Sequence, residues 1–129
     1  YVTFENLLEQ SDIVSVHCPL TEDTNNLFDK GAFELMKDSA VLINTSRGQV
    51  VNQDDLCDAL KNSKISGAGL DVTTPEPIPT DHPLVGLSNC IILPHIGSAT
   101  WKTRHKMVDM TVENLLLGIR DLDLAYPIY

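Results

Sequence analysis

The run Val41-Leu42-Ile43, followed at once by Asn44-Thr45-Ser46-Arg47-Gly48, sets the tightest limit on how this chain can fold. Three apolar, branched residues in succession predict a strand covered on both faces, as in a parallel sheet. An arginine and a glycine just past such a strand stand where open α/β sheets bind their ligands. The guanidinium is planar and permanently charged, and it can hold a carboxylate through two parallel hydrogen bonds. The same arginine also suits a surface ion pair, so its meaning depends on what the fold places beside it.

The rest of the chain reads as strands alternating with helices, which predicts a parallel sheet covered by helices. Val2 to Gln10 is a short helix with Thr3 as its cap, and Val2 and Leu7 occupy staple positions. Ile13 to Val16 is a β-branched strand, and Cys18-Pro19-Leu20 lies in the loop after it. Asp29 caps a helix running to about Met36, with Phe28 and Phe33 at staple positions. Asn52 caps another, with Val51 and Leu56 as its staple and Leu56, Ala59 and Leu60 on its apolar face. Ser66 to Val72 is a third strand, in which Gly67 and Gly69 allow close approach of other groups. Thr73 to Pro83 is a loop stiffened by four of the seven prolines. Cys90 to Leu93 is the fourth strand, stopped by Pro94. Ala99 to Gly118 is the longest helix, with Val108, Val112, Leu115 and Ile119 along one side, a stripe that suits packing on the sheet or a subunit interface. The last ten residues form a polar tail.

At 129 residues the length suits one domain, and 43% hydrophobic residues suffice for a core. No apolar run approaches the roughly 20 residues that cross a bilayer. A net charge of −9 argues against a nucleic-acid or anionic-membrane partner. Cys18, Cys57 and Cys90 form no Cys-x-x-Cys pair, so three reduced, mostly buried thiols in a cytoplasmic protein are expected. The Asn44-Thr45-Ser46 sequon closes a buried strand and is read as chance. His82, His95 and the nearby acids match no helical metal-ligand spacing, so no metal is expected.

Three strands end in chemistry-bearing residues: Arg47 after the second, Asp71 and then Glu76 after the third, His95 after the fourth. Parallel neighbours would gather these side chains on one rim. Arg47 would then anchor a substrate carboxylate and polarise the adjacent carbonyl. Only His95 among them exchanges a proton near neutrality by its ordinary chemistry. A Glu76 carboxylate hydrogen-bonded to that ring would favour its charged form and fix its orientation. Ser46 and Ser98 lack a Gly-x-Ser-x-Gly elbow, so acyl transfer is not indicated. Each residue also has a plainer role open to it. His95 could cap the long helix, Glu76 could be a solvated loop acid and Asp71 could cap a turn. His17 reads as a satisfied core histidine, and His82 and His105 as surface or loop residues.

The stretches INTSRG, GLDV-x-x-PEP and LPHIGSAT, in that order, resemble the signatures of the D-isomer-specific 2-hydroxyacid dehydrogenases from Ser11 to Gly118. VVNQDDL, DVTTPEP and PLVGLSNCIILPHIGSAT are most similar to the members that reduce glyoxylate and hydroxypyruvate. The resemblance implies an α/β fold, a partial doubly wound Rossmann-type parallel sheet covered by helices. It implies that Arg47, Glu76 and His95 are catalytic and that Asp71 lies near the nicotinamide carboxamide. Cys18, Pro19, Leu20, Thr45, Ser46, Arg47, His95, Gly97 and Ser98 would line the cofactor, NAD or NADP, with NADPH favoured by the resemblance alone. In that family hydride passes from the reduced cofactor to a 2-keto acid, and the histidine protonates the new alkoxide.

The family's Gly-x-Gly-x-x-Gly loop is not in this sequence, and Gly67-Ala68-Gly69 enters no helix. Residues 1–119 are therefore expected to be the C-terminal half of an NAD(P)-binding domain, and 120–129 a tail leading towards a substrate domain outside this sequence. The full-length protein would be a homodimer acting on a small 2-keto or 2-hydroxy acid. A dinucleotide-binding sensor or corepressor of the same fold, or an inactive truncated product, would carry the same residues.

Overall fold

Polar side chains open each of the first three helices at the expected cap. Thr3 accepts the amide N–H of Asn6 at 3.3 Å ahead of α1 (Phe4–Gln10). Asp29 accepts that of Ala32 at 3.0 Å ahead of α2 (Lys30–Leu35). Asn52 accepts that of Asp55 at 3.2 Å ahead of α3 (Gln53–Lys61). Each bond satisfies one of the amides that a helix start leaves unpaired. The fourth helix, α4 (Trp101–Ile119), is capped by Thr100 rather than by His95.

The structure, a computed structural model, describes residues 1–127, which fall into two compact units, Tyr1–His95 and the described residues from Ile96 onward. In the first unit, β1 (Ile13–Val16), β2 (Val41–Asn44), β3 (Gly67–Leu70) and β4 (Cys90–Ile92) form one all-parallel sheet in the order β1-β2-β3-β4. A doubly wound sheet reverses its strand order at a switch point. A monotone order of four parallel strands corresponds to one winding of it.

The alternation of side chains decides what is buried. Val14, Leu42 and Ala68 stand side by side in register, as do Val16, Asn44 and Leu70, and all six are buried. Phe28, Phe33, Leu56, Leu60 and Ile65 join them in the core cluster. The other face carries Val41 and Ile43, half-buried, with Ile13 and Ile91 exposed. The expectation that Val41-Leu42-Ile43 is covered on both faces thus holds fully for Leu42 alone. Period-two geometry sends its neighbours to the side opposite the core. The staple at Val2 and Leu7 does not form a buried pair either, since both residues are exposed.

Helix α2 carries the crossover from β1 to β2, and α3 that from β2 to β3. The crossover from β3 to β4 has a proline-rich loop and one turn of 3-10 helix, Pro83–Gly86, in place of an α-helix. That loop leaves β3 at the end of the sheet where ligands bind in such folds.

In the second unit, no residue of α4 is buried, and Val108, Val112, Leu115 and Ile119 are all exposed. The tail doubles back on the helix. Asn114 donates to the Tyr126 carbonyl at 2.7 Å and accepts the Tyr126 N–H at 3.0 Å. Of the predicted tail, Ile128 and Tyr129 lie outside the described residues.

Candidate active site

The buried amide of Asn44 builds the turn that presents Arg47. Its oxygen accepts the backbone N–H and the hydroxyl of Ser46, each at 3.0 Å, and its nitrogen donates to the Arg47 carbonyl at 2.9 Å. A short amide at a strand end bonds to the following backbone in just this way. Asn44 is therefore a structural part of the candidate site, a role that the sequon pattern of Asn44-Thr45-Ser46 does not announce. The exposed Arg47 guanidinium donates to the Ser46 carbonyl at 2.7 Å.

Thr45, Ser46 and Arg47 after β2 join His17, Cys18, Pro19 and Leu20 after β1 in lining one open cavity of about 640 Å³. That volume lies in the range of small-molecule and cofactor sites. Its walls combine apolar carbon, two hydroxyls and a cation. They suit a partly polar ligand bearing hydroxyl and anionic groups. His17 is exposed at this cavity and hydrogen-bonded to the Ser15 hydroxyl at 2.8 Å, so it is not the core histidine expected. Position 17 continues the outward parity of Ile13 and Ser15.

The next two strands contribute the acid and the imidazole. The ladder continues one residue past β4, where Leu93 donates to the Leu70 carbonyl at 2.8 Å, and Pro94 ends it. At His95 the backbone turns into the left-handed region, with φ of 55°. Such a conformation costs about 1–3 kcal/mol and persists where the surroundings over-determine it. His95 Nδ1 lies 2.7 Å from Glu76 Oε1. An ionised carboxylate only accepts, so Nδ1 donates and Nε2 is left for other partners. Both side chains are partly open to solvent. Glu76 also borders a mainly apolar cavity of about 370 Å³ shared with Pro77, Ile78, Ile92, Leu93 and Pro94. The peptide bonds into Pro75 and Pro77 are both cis.

Gly48 ties the Arg47 turn to the Glu76 loop. A Cβ there would lie 2.1 Å from the Thr73 carbonyl oxygen, so the two loops touch backbone to backbone. Asp71 is buried one residue past β3, and its N–H donates to the Asn44 carbonyl at 2.9 Å. Gly97 and Ser98 belong to the second unit, ahead of α4.

His82 is a loop residue, half-buried, and accepts the Leu84 N–H at 3.2 Å, capping the 3-10 turn. His105 stacks on Trp101 and donates to its carbonyl at 2.8 Å. The cysteines are free, with Cys57 buried and Cys18 and Cys90 half-buried. Burial, and then the neighbouring Cys57, push the Cys90 thiol from its ordinary 9.0 up to about 11. No helix among the described residues is long and apolar enough to cross a membrane.

Residues 1–97 match the family model of the D-isomer specific 2-hydroxyacid dehydrogenases, NAD binding domain. The chain is 56% identical over 120 residues, 93% of its length, to a glyoxylate reductase/hydroxypyruvate reductase of Homo sapiens. It spans 37% of that relative. A crystal structure of the TT0316 protein of Thermus thermophilus superposes with a TM-score of 0.93 at 44% identity, over 99% of this chain and 41% of that one. A D-lactate dehydrogenase with NAD+ from Lactobacillus jensenii gives 0.91 at 29% identity, over 100% of this chain and 43% of that one.

Proposed function

The chain belongs to the D-isomer specific 2-hydroxyacid dehydrogenase family, and from that premise we propose that it carries the proton-transfer and carboxylate-binding groups of a glyoxylate and hydroxypyruvate reductase. The observation that supports this most is the 2.7 Å contact between Glu76 and His95, just past β3 and β4. The 56% identical human reductase supports the choice of substrate class.

The cavity of Cys18, Pro19, Leu20, Thr45, Ser46 and Arg47 fits part of a dinucleotide cofactor in size and in donor set. Asp71 is proposed to complete its surroundings, and Gly97 and Ser98 are proposed as cofactor-binding residues on the family resemblance alone. A reduced nicotinamide dinucleotide supplies the hydride when it is bound there. The Arg47 guanidinium holds the substrate carboxylate and draws electron density from the adjacent carbonyl. His95 gives a proton from Nε2 to the carbonyl oxygen as it becomes an alkoxide. Glu76 accepts Nδ1–H throughout, which keeps the ring turned.

The test uses the complete enzyme that carries this segment, with the oxidation of NADH or NADPH followed on addition of glyoxylate or hydroxypyruvate. Replacing His95 by Asn is expected to lower kcat roughly 10²- to 10⁴-fold. Replacing Arg47 by Ala should remove about 1.5–3 kcal/mol of interaction with the substrate anion, expressed mostly in kcat/KM. Unchanged turnover in both variants overturns the assignment. A protein that binds the dinucleotide and turns over no 2-keto acid is a sensor of the same fold.

A further inference from the structure

Two residues ahead of Glu76, the backbone of Thr74 is held by one side chain from another element. The Thr74 N–H donates to Gln53 Oε1 at 3.0 Å, and the Gln53 amide nitrogen donates to the Thr74 carbonyl at 2.9 Å. This pair fixes which way the amide points, because the N–H needs an oxygen and the carbonyl needs an N–H. Among the described residues, Thr73 to Glu76 take part in no backbone–backbone hydrogen bond. Inside the loop the Thr73 hydroxyl donates to the Pro75 carbonyl at 3.0 Å, and the contact with Gly48 lies one residue earlier. The Gln53 amide thus does for this loop what a neighbouring strand does for a residue in a ladder.

Gln53 is well placed for such a task. It is the first residue of α3, directly after the Asn52 cap. Val51 and Leu56 around it are buried, and Asn52 N–H donates to the Phe28 carbonyl at 2.9 Å. Its second amide hydrogen faces His82 Nε2 at 3.1 Å, while His82 Nδ1 faces the Leu84 N–H. A neutral imidazole has a single bare nitrogen, so it cannot accept from both at once. The Gln53–Thr74 pair is the contact that does not depend on the state of that ring.

We propose that Gln53 is a positioning residue that locks the Thr74 backbone and so delivers the Glu76 carboxylate to His95. The claim rests on the reductase reading for its catalytic consequence, and on the geometry alone for the contact between Glu76 and His95. A loop carrying a catalytic carboxylate needs support from a rigid element. A displacement of about 1 Å from a change outside the chemistry can cost about 10²-fold in rate.

The test replaces Gln53 by Met, similar in length and unable to form either bond. Gln53→Ala, which favours the helix, serves if the Met variant does not fold. The first readout is a long-range 1H–15N correlation of the His95 ring in the 129-residue chain. It shows whether Nδ1 carries the proton that Glu76 accepts. The second is kcat and KM of the complete enzyme that carries this segment. We expect the variants to lose the Nδ1–H preference and to lower kcat roughly ten- to a hundredfold, with KM for the dinucleotide unchanged. An unchanged ring signal overturns the proposal, and so does an altered signal with unchanged kcat. A wild-type enzyme that reduces no 2-keto acid overturns the reductase reading instead, and the ring signal alone then decides whether Gln53 places Glu76.

Discussion

Gly48 sits where the loop after β2 meets the loop after β3, and a methyl group there has nowhere to go. Its Cβ would lie 2.1 Å from the Thr73 carbonyl oxygen and 2.3 Å from the carbon, atoms of backbone that cannot swing aside. Replacing Gly48 by Ala should destabilise the first unit by about 1–3 kcal/mol, as overpacking does. Urea unfolding reads this as a lower midpoint at constant m-value, and an unchanged midpoint would show that the loops part freely. Cys90 supplies a prediction in pH. Its thiol is pushed up to about 11, so in the fold it keeps its proton above the ordinary 9.0. The folded chain then binds more protons than the unfolded one between these values. Stability falls as pH rises from about 9 towards 11 and is untouched by this group below that window. Alkylation of the native chain at about pH 8.5 should leave Cys90 unmodified, because the thiolate is the nucleophile. Rapid labelling there would refute the shift. The candidates Arg47, Glu76 and His95 could be singled out because each lies in the loop that follows a strand signal. Gln53 could not, because its partners Thr74 and His82 lie 21 and 29 residues away and no local spacing joins them.

At the scale of elements, local chemistry told most. Thr3, Asp29 and Asn52 each stand one residue before an observed helix and each bonds the amide three residues on. These signals need only a side-chain oxygen and a free N–H, so tertiary contacts do not blur them. Asp29→Ala should therefore cost about 1 kcal/mol, and Asp29→Ser much less, in thermal unfolding. Equal losses in both variants would mean that the Asp29 charge matters rather than its hydrogen bond. β1 begins and ends where its β-branched run does, whereas β3 is shorter than the predicted Ser66 to Val72. Ser66 and Val72 are polar or apolar as a strand allows, but pairing rather than propensity sets where a ladder stops. What periodicity could not give was the burial of each face. An apolar position announces that it can be covered, not that anything covers it, and Ile13, Ile91 and the α4 stripe remain exposed.

For the whole molecule, that exposure competes with charge. Ile13 is 67% exposed on an edge strand and Ile91 68% exposed on the strand at the other edge. Edge strands also offer unpaired backbone groups to another chain. Within the second unit, α4 adds Val108, Val112, Leu115 and Ile119. Covering such side chains between two chains gains about 1.5–3 kcal/mol for each one fully buried. The loss of free motion on association takes back about 4–15 kcal/mol. The balance is small enough for electrostatics to tip it. Each chain carries a net charge of −9, and two of them repel over a distance that salt shortens to about 8 Å at physiological strength. The 129-residue chain should therefore self-associate weakly, and more as sodium chloride is raised. Sedimentation velocity across protein and salt concentrations reads this as a rising weight-average mass. The double substitution Ile13→Lys and Ile91→Lys should suppress it, since a charge on an edge strand blocks pairing and both positions lose apolar area. A single monomer mass at every salt concentration would show that these surfaces do not bind one another. Association that weakens with salt would show that opposite charges, rather than apolar faces, draw the chains together.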